Sequence, residues 1–162
     1  MKLQFALSSL QSERLHIFRR RNLTGNSVQD VQELQLPEYL NENRLTSLEI
    51  PENWGDLELL NVSSNPIANI STTSKRGPKI LIARNISLSS FQDSKFPSTL
   101  RQLDLSLSTL PSWRNFTPPE DLFELIAQDS AVESLGPLNF SGCERSFTMD
   151  FAGNNVTTIR GS

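Results

Sequence analysis

A short pattern that recurs along the chain limits its fold more than any other feature. Residues 57–67 read LELLNVSSNPI, with apolar residues at positions 1, 4, 6 and 11 and asparagine at position 9. Variants of this pattern start at Val31, Leu57, Pro78, Leu100, Leu122 and Ser146, and the first of them needs an insertion before Asn43. A repeat of about 20 to 29 residues is typical of a solenoid, in which each unit adds one coil.

Positions 4 and 6 of each unit are apolar and lie on the same side of a short strand, because successive side chains of a strand alternate. Position 4 is occupied by Leu34, Leu60, Leu81, Leu103, Leu125 and Met149, and position 6 by Leu36, Val62, Ala83, Leu105, Ala127 and Phe151. One strand cannot bury such a face alone. We therefore predict that successive strands stack about 4.8 Å apart as a parallel sheet.

Position 9 and the return segments predict how each coil turns. Asparagine at Asn43, Asn65 and Asn154 can bind backbone groups left open at the turn. Ser108 and Ser130 have shorter side chains, which predicts less regular coils there. The returns carry Trp, Phe and Pro residues, which favours short or irregular segments. A helical turn over residues 118–123 is the alternative at one return.

The units LELLNVSSNPI and LRQLDLSLSTL resemble the leucine-rich-repeat family, and the resemblance covers residues 31–159. It implies an α/β-type repeat solenoid, an arc with a parallel concave sheet and mostly irregular or short-helical convex returns. The stretch IPENWGDLELLNV resembles the return of plant-type receptor repeats. That similarity would fit the ectodomain of a receptor-like protein or receptor kinase.

Two regions follow from this frame. Residues 1–30 fit it poorly and are expected to be a degenerate N-terminal repeat or a cap. Residues 31–162 are expected to form an array of about six units. The last unit has no polar cap, and repeat arrays normally cover both ends, so we expect the array to be truncated at the C-terminus.

The composition argues against catalysis, cofactors and nucleic acid. The chain has one histidine, His16, and one cysteine, Cys143, and neither lies in a nucleophile, metal or phosphate motif. We therefore predict no enzyme activity, no cofactor and no metal site. The net charge of −3 disfavours nucleic-acid binding. Residues 19–21, the only basic run, are read as a solvated turn or a targeting patch. No apolar stretch is long enough for a membrane span.

In the leucine-rich-repeat family the concave strand surface binds ligands, and the frame predicts which side chains lie there. The predicted set is Glu58, Asn61, Lys79, Ile80, Ile82, Arg84, Arg101, Asp104, Phe123, Ile126, Phe147 and Asp150. We expect Glu58 to pair with Lys79 and Arg101 with Asp104. The apolar members alongside arginines predict a protein or peptide ligand.

Asn-X-Ser/Thr sequons are frequent, at Asn22, Asn61, Asn69, Asn85, Asn115, Asn139 and Asn155. Their excess favours N-glycosylation and an extracellular or cell-surface location. The function predicted from the sequence is thus a ligand-binding module of an extracellular receptor-like protein. The alternative is a cytoplasmic leucine-rich-repeat scaffold for protein–protein interaction, which the lone cysteine and the poor signal-peptide pattern at the N-terminus favour.

Overall fold

Short parallel strands, one from each successive coil, form the scaffold of this protein. The computed structural model describes residues 22–31, 34, 37–136 and 147–159. Within them the strands are β1 (Ser47–Ile50), β2 (Leu59–Asn61), β3 (Asn69–Thr72), β4 (Ile80–Ile82), β5 (Gln102–Asp104), β6 (Glu124–Ile126), β7 (Ser134–Leu135), β8 (Thr148–Asp150) and β9 (Thr158–Ile159). The predictions for His16, Cys143 and residues 19–21 lie outside the described residues.

The main sheet contains five parallel strands in the order β2-β4-β5-β6-β8. Its register brings position 4 of each unit into one column, Leu60, Leu81, Leu103, Leu125 and Met149. The four leucines of this column are completely buried. The predicted repeat solenoid and its inward column are therefore confirmed. Met149 is 42% exposed, because β8 is the last strand of the sheet.

Left-handed backbone recurs at position 8 of every described unit, immediately before the position occupied by Asn65. The φ angles are 57° at Glu42, 55° at Ser64, 54° at Asn85, 59° at Leu107, 49° at Asp129 and 71° at Gly153. Gly25, in the coil before the first unit, has a φ of 70°, and Ala131 is a further left-handed residue outside position 8. A positive φ reverses the chain sharply after the strand. The recurrence fixes the unit boundaries independently of the side chains.

The first unit has a different register from the one predicted. Tyr39 pairs with Asn61 on one side and Asn22 on the other, so Glu38 and Leu40 occupy positions 4 and 6. Leu34 had been assigned to position 4, and Leu36, assigned to position 6, lies outside the described residues. The prediction was wrong because it required two apolar residues in the strand. With Glu38 accepted at position 4, no insertion before Asn43 is needed.

Where position 9 is asparagine or serine, its side chain hydrogen-bonds to the preceding coil; Ile86, at position 9 of the third unit, has no polar side-chain atom to do so. Asn65 Nδ2 donates to the carbonyl oxygens of Leu40 and Val62, at 2.9 and 2.8 Å. Ser108 Oγ reaches Ala83 O at 3.3 Å, and Ser130 Oγ reaches Leu105 O at 3.1 Å. Serine therefore keeps the inter-coil bond. Strands β5 and β6 pair in continuous register, so the predicted irregularity is confined to the turn of the fifth unit, where Ala131 adds a second left-handed residue with a φ of 51°.

The returns combine irregular segments with short strands, which were not predicted, and the described residues contain no α-helix. Strands β1 and β3 pair with each other, as do β7 and β9, and single 3₁₀ turns form at Glu52–Trp54 and Trp113–Asn115. The α component of the predicted class is thus absent from this part of the chain. Residues 118–123 form a turn, in which the Leu122 amide donates to Pro119 O, rather than the alternative helical turn.

Aromatic side chains fill the space between the sheet and the returns. Trp54 is buried, and its Nε1 donates to Leu34 O at 3.0 Å. Trp113 packs against Phe91, Phe116 and Phe151, with ring centroids 4.6, 5.1 and 5.1 Å apart. This filling lets coils with a small position 6, such as Ala83 and Ala127, remain close-packed. These side chains thus cover the inner side of the sheet, and its opposite surface is left outside the core.

Candidate functional site

The surface of the main sheet that faces away from the core is the candidate site. In β2, β4, β5 and β6 the central residue is buried, and by strand alternation the two flanking side chains lie on the opposite side of the sheet. We call these flanking residues the outer face: Leu59, Asn61, Ile80, Ile82, Gln102, Asp104, Glu124, Ile126, Thr148 and Asp150. They form two parallel rows across five strands.

One row of the outer face alternates between polar and apolar residues. In register it reads Asn61, Ile82, Asp104, Ile126 and Asp150. Neighbouring members are about 4.8 Å apart, the usual strand spacing.

Asn61 and Asp104, two polar members of this row, hydrogen-bond to the backbone of their own coil. Oδ1 of Asn61 accepts from the Ser63 amide at 3.0 Å, and Oδ1 of Asp104 accepts from the Ser106 amide at 3.0 Å. These bonds satisfy the backbone just beyond each strand. Ile82 and Ile126 cannot do this, and both remain partly exposed. The two isoleucines therefore provide apolar surface that has no hydrogen-bonding role in the turns, unlike the polar residues beside them.

The charged residues pair only in part as predicted. Lys79 Nζ lies 2.7 Å from Glu58 Oε2, which confirms that prediction. The predicted pairing of Arg101 with Asp104 is wrong, because Arg84 Nε lies 2.6 Å from Asp104 Oδ2. Arg84 comes from the preceding coil. It lies two residues after Ile82, which is in register with Asp104. The Asp104 side chain is only 4% exposed. Little of its carboxylate is therefore accessible to a ligand on the outer face.

Two coils further on, Gln128 takes the place of Arg84. Gln128 Nε2 lies 2.6 Å from Asp150 Oδ2, and the Ala152 amide donates to Asp150 Oδ1 at 2.9 Å. The Ala152 amide first, and then the Gln128 amide, hold the pKa of the Asp150 carboxyl below its ordinary value. Asp150 is therefore a charged carboxylate at neutral pH with two neutral donors.

The predicted aromatic residues lie at the beginning of the strands. The Phe123 amide donates to Arg101 O at 3.0 Å, and the Thr148 amide donates to Phe123 O at 2.8 Å. Phe123 is 38% exposed, whereas Phe147 is partly buried against the core. Arg101 is exposed beside Phe123. The structure thus brings together Arg101 and Phe123 at one edge of the face, and Ile82, Arg84 and Asp104 at the other.

Sequence reasoning missed several residues of this surface. Leu59, Gln102, Glu124 and Thr148 share a row with Ile80. A consistent alternation around position 4 would have identified them. Gln128 was not predicted, because its hydrogen bond is to Asp150 in the next coil. Tyr39 was missed because the first unit was framed in the wrong register.

The sequons differ in accessibility. Asn22, Asn85 and Asn155 are exposed, whereas Asn61 and Asn69 are partly buried. Asn85 lies at a left-handed turn next to the outer face. Asn139 and the side chain of Asn115 lie outside the described residues. Asn61 belongs to the outer face itself, so a glycan there would cover part of the candidate surface.

Residues 22–31, 34, 37–136 and 147–159 contain no cluster of three or more His, Cys, Asp or Glu side chains placed to hold a metal ion. Nor does a helix in this region have the length and hydropathy needed to cross a membrane. In comparisons with known proteins, the chain has no significant match to a family model, a curated protein or a solved structure.

Proposed function

We propose that the outer face binds a protein or peptide ligand, and that the chain is a ligand-binding module of the leucine-rich-repeat type. The observation that carries the proposal is the row of Ile82 and Ile126, held in register on the main sheet between polar residues that are already hydrogen-bonded. Apolar side chains on a polar platform are typical of protein contact sites. The absence of a catalytic motif in the sequence supports a binding role.

The shape of the site also favours a macromolecular ligand. The candidate side chains are spread across five strands, which at about 4.8 Å per strand span roughly 20 Å. A small molecule is normally enclosed in a concave pocket, whereas these residues form two open rows. A partner that lies across several strands can contact Ile82, Ile126 and Phe123 together.

The sequons support a cell-surface or extracellular setting for this module. Asn22, Asn85 and Asn155 are accessible to a modifying enzyme. Expression through a eukaryotic secretory route, followed by glycosidase treatment and mass spectrometry, tests this setting. Mass loss at these asparagines supports it, and an unmodified secreted chain favours the cytoplasmic scaffold instead.

The binding function itself is tested with peptides selected on the full chain from a random phage-displayed library. We expect selected peptides to shift the NMR signals of outer-face residues. The double variant Phe123→Asp/Ile126→Asp should abolish their binding without changing the circular dichroism spectrum. The matched control is Ile159→Asp, because Ile159 is 76% exposed on the separate β7–β9 pair. Unimpaired binding by the folded double variant would exclude this surface.

A further inference from the structure

Two equivalent positions of the solenoid differ by one charge. Arg84 Nε binds Asp104 Oδ2, and Gln128 Nε2 binds Asp150 Oδ2, both at 2.6 Å. In both cases the donor lies one coil before the carboxylate, and Oδ1 accepts from the backbone amide two residues further on. The first arrangement is neutral because arginine balances aspartate. The second keeps the full negative charge, because glutamine is uncharged.

None of the described residues in this part of the chain restores the balance at Asp150. The described residues 115–136 and 147–159 contain no lysine or arginine. Their acidic residues are Glu120, Asp121, Glu124, Asp129, Glu133 and Asp150. Glu124 lies on the outer face in the same strand as Ile126. Basic residues instead cluster in the preceding coils, where Lys79 pairs with Glu58 and Arg84 with Asp104.

Ile126 lies between the two carboxylates in this arrangement. Its Cα is in register with Asp104 on one side and Asp150 on the other. An apolar contact point is therefore about 4.8 Å along the sheet from a carboxylate with no basic partner among the described residues. A lysine or arginine side chain fits such a pair well, because its aliphatic stem packs on apolar surface while its charged end binds a carboxylate.

We propose that the part of the outer face formed by Glu124, Ile126, Gln128 and Asp150 selects a protein segment with a lysine or arginine beside an apolar residue. This inference rests on the proposed function and specifies its partner. The cationic group binds Asp150, and the apolar residue contacts Ile126. An acidic segment is repelled by Glu124 and Asp150. The charge acts mainly on selectivity, because exposed ion pairs contribute modestly to affinity.

The substitution Gln128→Arg tests the proposal, because it should reproduce at Asp150 the neutral pair that Arg84 makes with Asp104. Peptides selected on the unmodified chain should be enriched in lysine and arginine. Gln128→Arg should weaken their binding by about three- to fivefold at low salt. The loss should shrink when the salt concentration is raised. Gln92→Arg is the matched control, because it adds the same charge at an exposed position on a return segment, and it should leave binding unchanged.

A second probe separates this inference from the proposed function. Each selected peptide is compared with a version in which its lysine or arginine is replaced by methionine. Weaker binding of the methionine version to the unmodified chain, but not to Gln128→Arg, supports the proposal. Peptides that lose binding to Phe123→Asp/Ile126→Asp, yet show neither basic enrichment nor sensitivity to Gln128→Arg, overturn the charge selectivity and leave the binding face intact. Peptides that bind all variants equally overturn both.

Discussion

Asn65 hydrogen-bonds across the boundary between two coils, with its Nδ2 2.9 Å from the carbonyl oxygen of Leu40. The same amide nitrogen donates to Val62 O within its own coil, and Oδ1 accepts from the Leu45 amide at 3.0 Å. All of these groups are buried. One side chain thus satisfies backbone groups of two coils that have no strand partner at the turn.

Replacing Asn65 by alanine should therefore destabilise the protein strongly. Several buried backbone groups would lose their partner, and we expect unfolding free energy to fall by roughly 2 to 4 kcal/mol. Asn65→Ser should cost about half as much, because Ser108 and Ser130 reach the preceding coil in the same position. Urea denaturation measures both variants. Asn53→Ala is the control, since Asn53 is exposed, and an equal loss there would contradict the role of the inter-coil bond.

The inward column of the main sheet should be most sensitive where it is flanked on both sides. Leu103 is fully buried between Leu81 and Leu125, so Leu103→Ala should cost about 2 to 5 kcal/mol. Met149 occupies the same column but is 42% exposed, and Met149→Ala should cost less than about 1.5 kcal/mol. Both are measured by chemical denaturation. Similar losses at the two positions would mean that Met149 is as well covered as Leu103.

Replacing Leu107 by glycine should stabilise the protein. The φ of Leu107 is 59° and its side chain is 58% exposed, so it has a strained backbone and buries little surface. Relief of about 1 to 2 kcal/mol of left-handed strain exceeds the roughly 0.5 to 1 kcal/mol that glycine loses in entropy. We expect Leu107→Gly to raise the melting temperature. Thr109→Gly, two residues further on in an isolated bridge with Ser87, should lower it, and the same sign at both sites would refute the strain argument.

The sequence predicted the coils because their main requirement is local and periodic. The side chains at positions 4 and 6 face the core in successive coils. The sequence therefore has apolar residues at regular intervals, such as Leu60, Leu81, Leu103 and Leu125. The same reasoning failed for the first coil because its position 4 is occupied by a charged residue, Glu38. An all-apolar template cannot find such a unit. The positive φ at Glu42 identifies it only once the backbone is known.

The details of the candidate site were less predictable because they depend on neighbours one coil away. Arg84 and Arg101 are both basic and both near Asp104 in the repeat frame. Only the geometry decides that Arg84 reaches it. The pairing of Gln128 with Asp150 has no signal in either unit alone. Periodicity therefore predicts which row a residue belongs to, whereas inter-coil contacts depend on side-chain reach.

The pKa of the Asp150 carboxyl should be below its ordinary value, and the ionised carboxylate should favour the folded state. Hydrogen bonds from the Ala152 amide and from Gln128 lower its pKa in the folded state. Because the folded pKa is below the unfolded value of about 3.9, the contribution is fully present above that pH and is lost as pH falls through the folded pKa. Gln128→Leu should raise the pKa of Asp150, and its cost in stability should shrink in acid. NMR titration of the carboxyl carbon and denaturation at several pH values measure these effects, with Gln102→Leu as the outer-face control. An unchanged pKa of Asp150 in Gln128→Leu would show that this hydrogen bond does not form in solution.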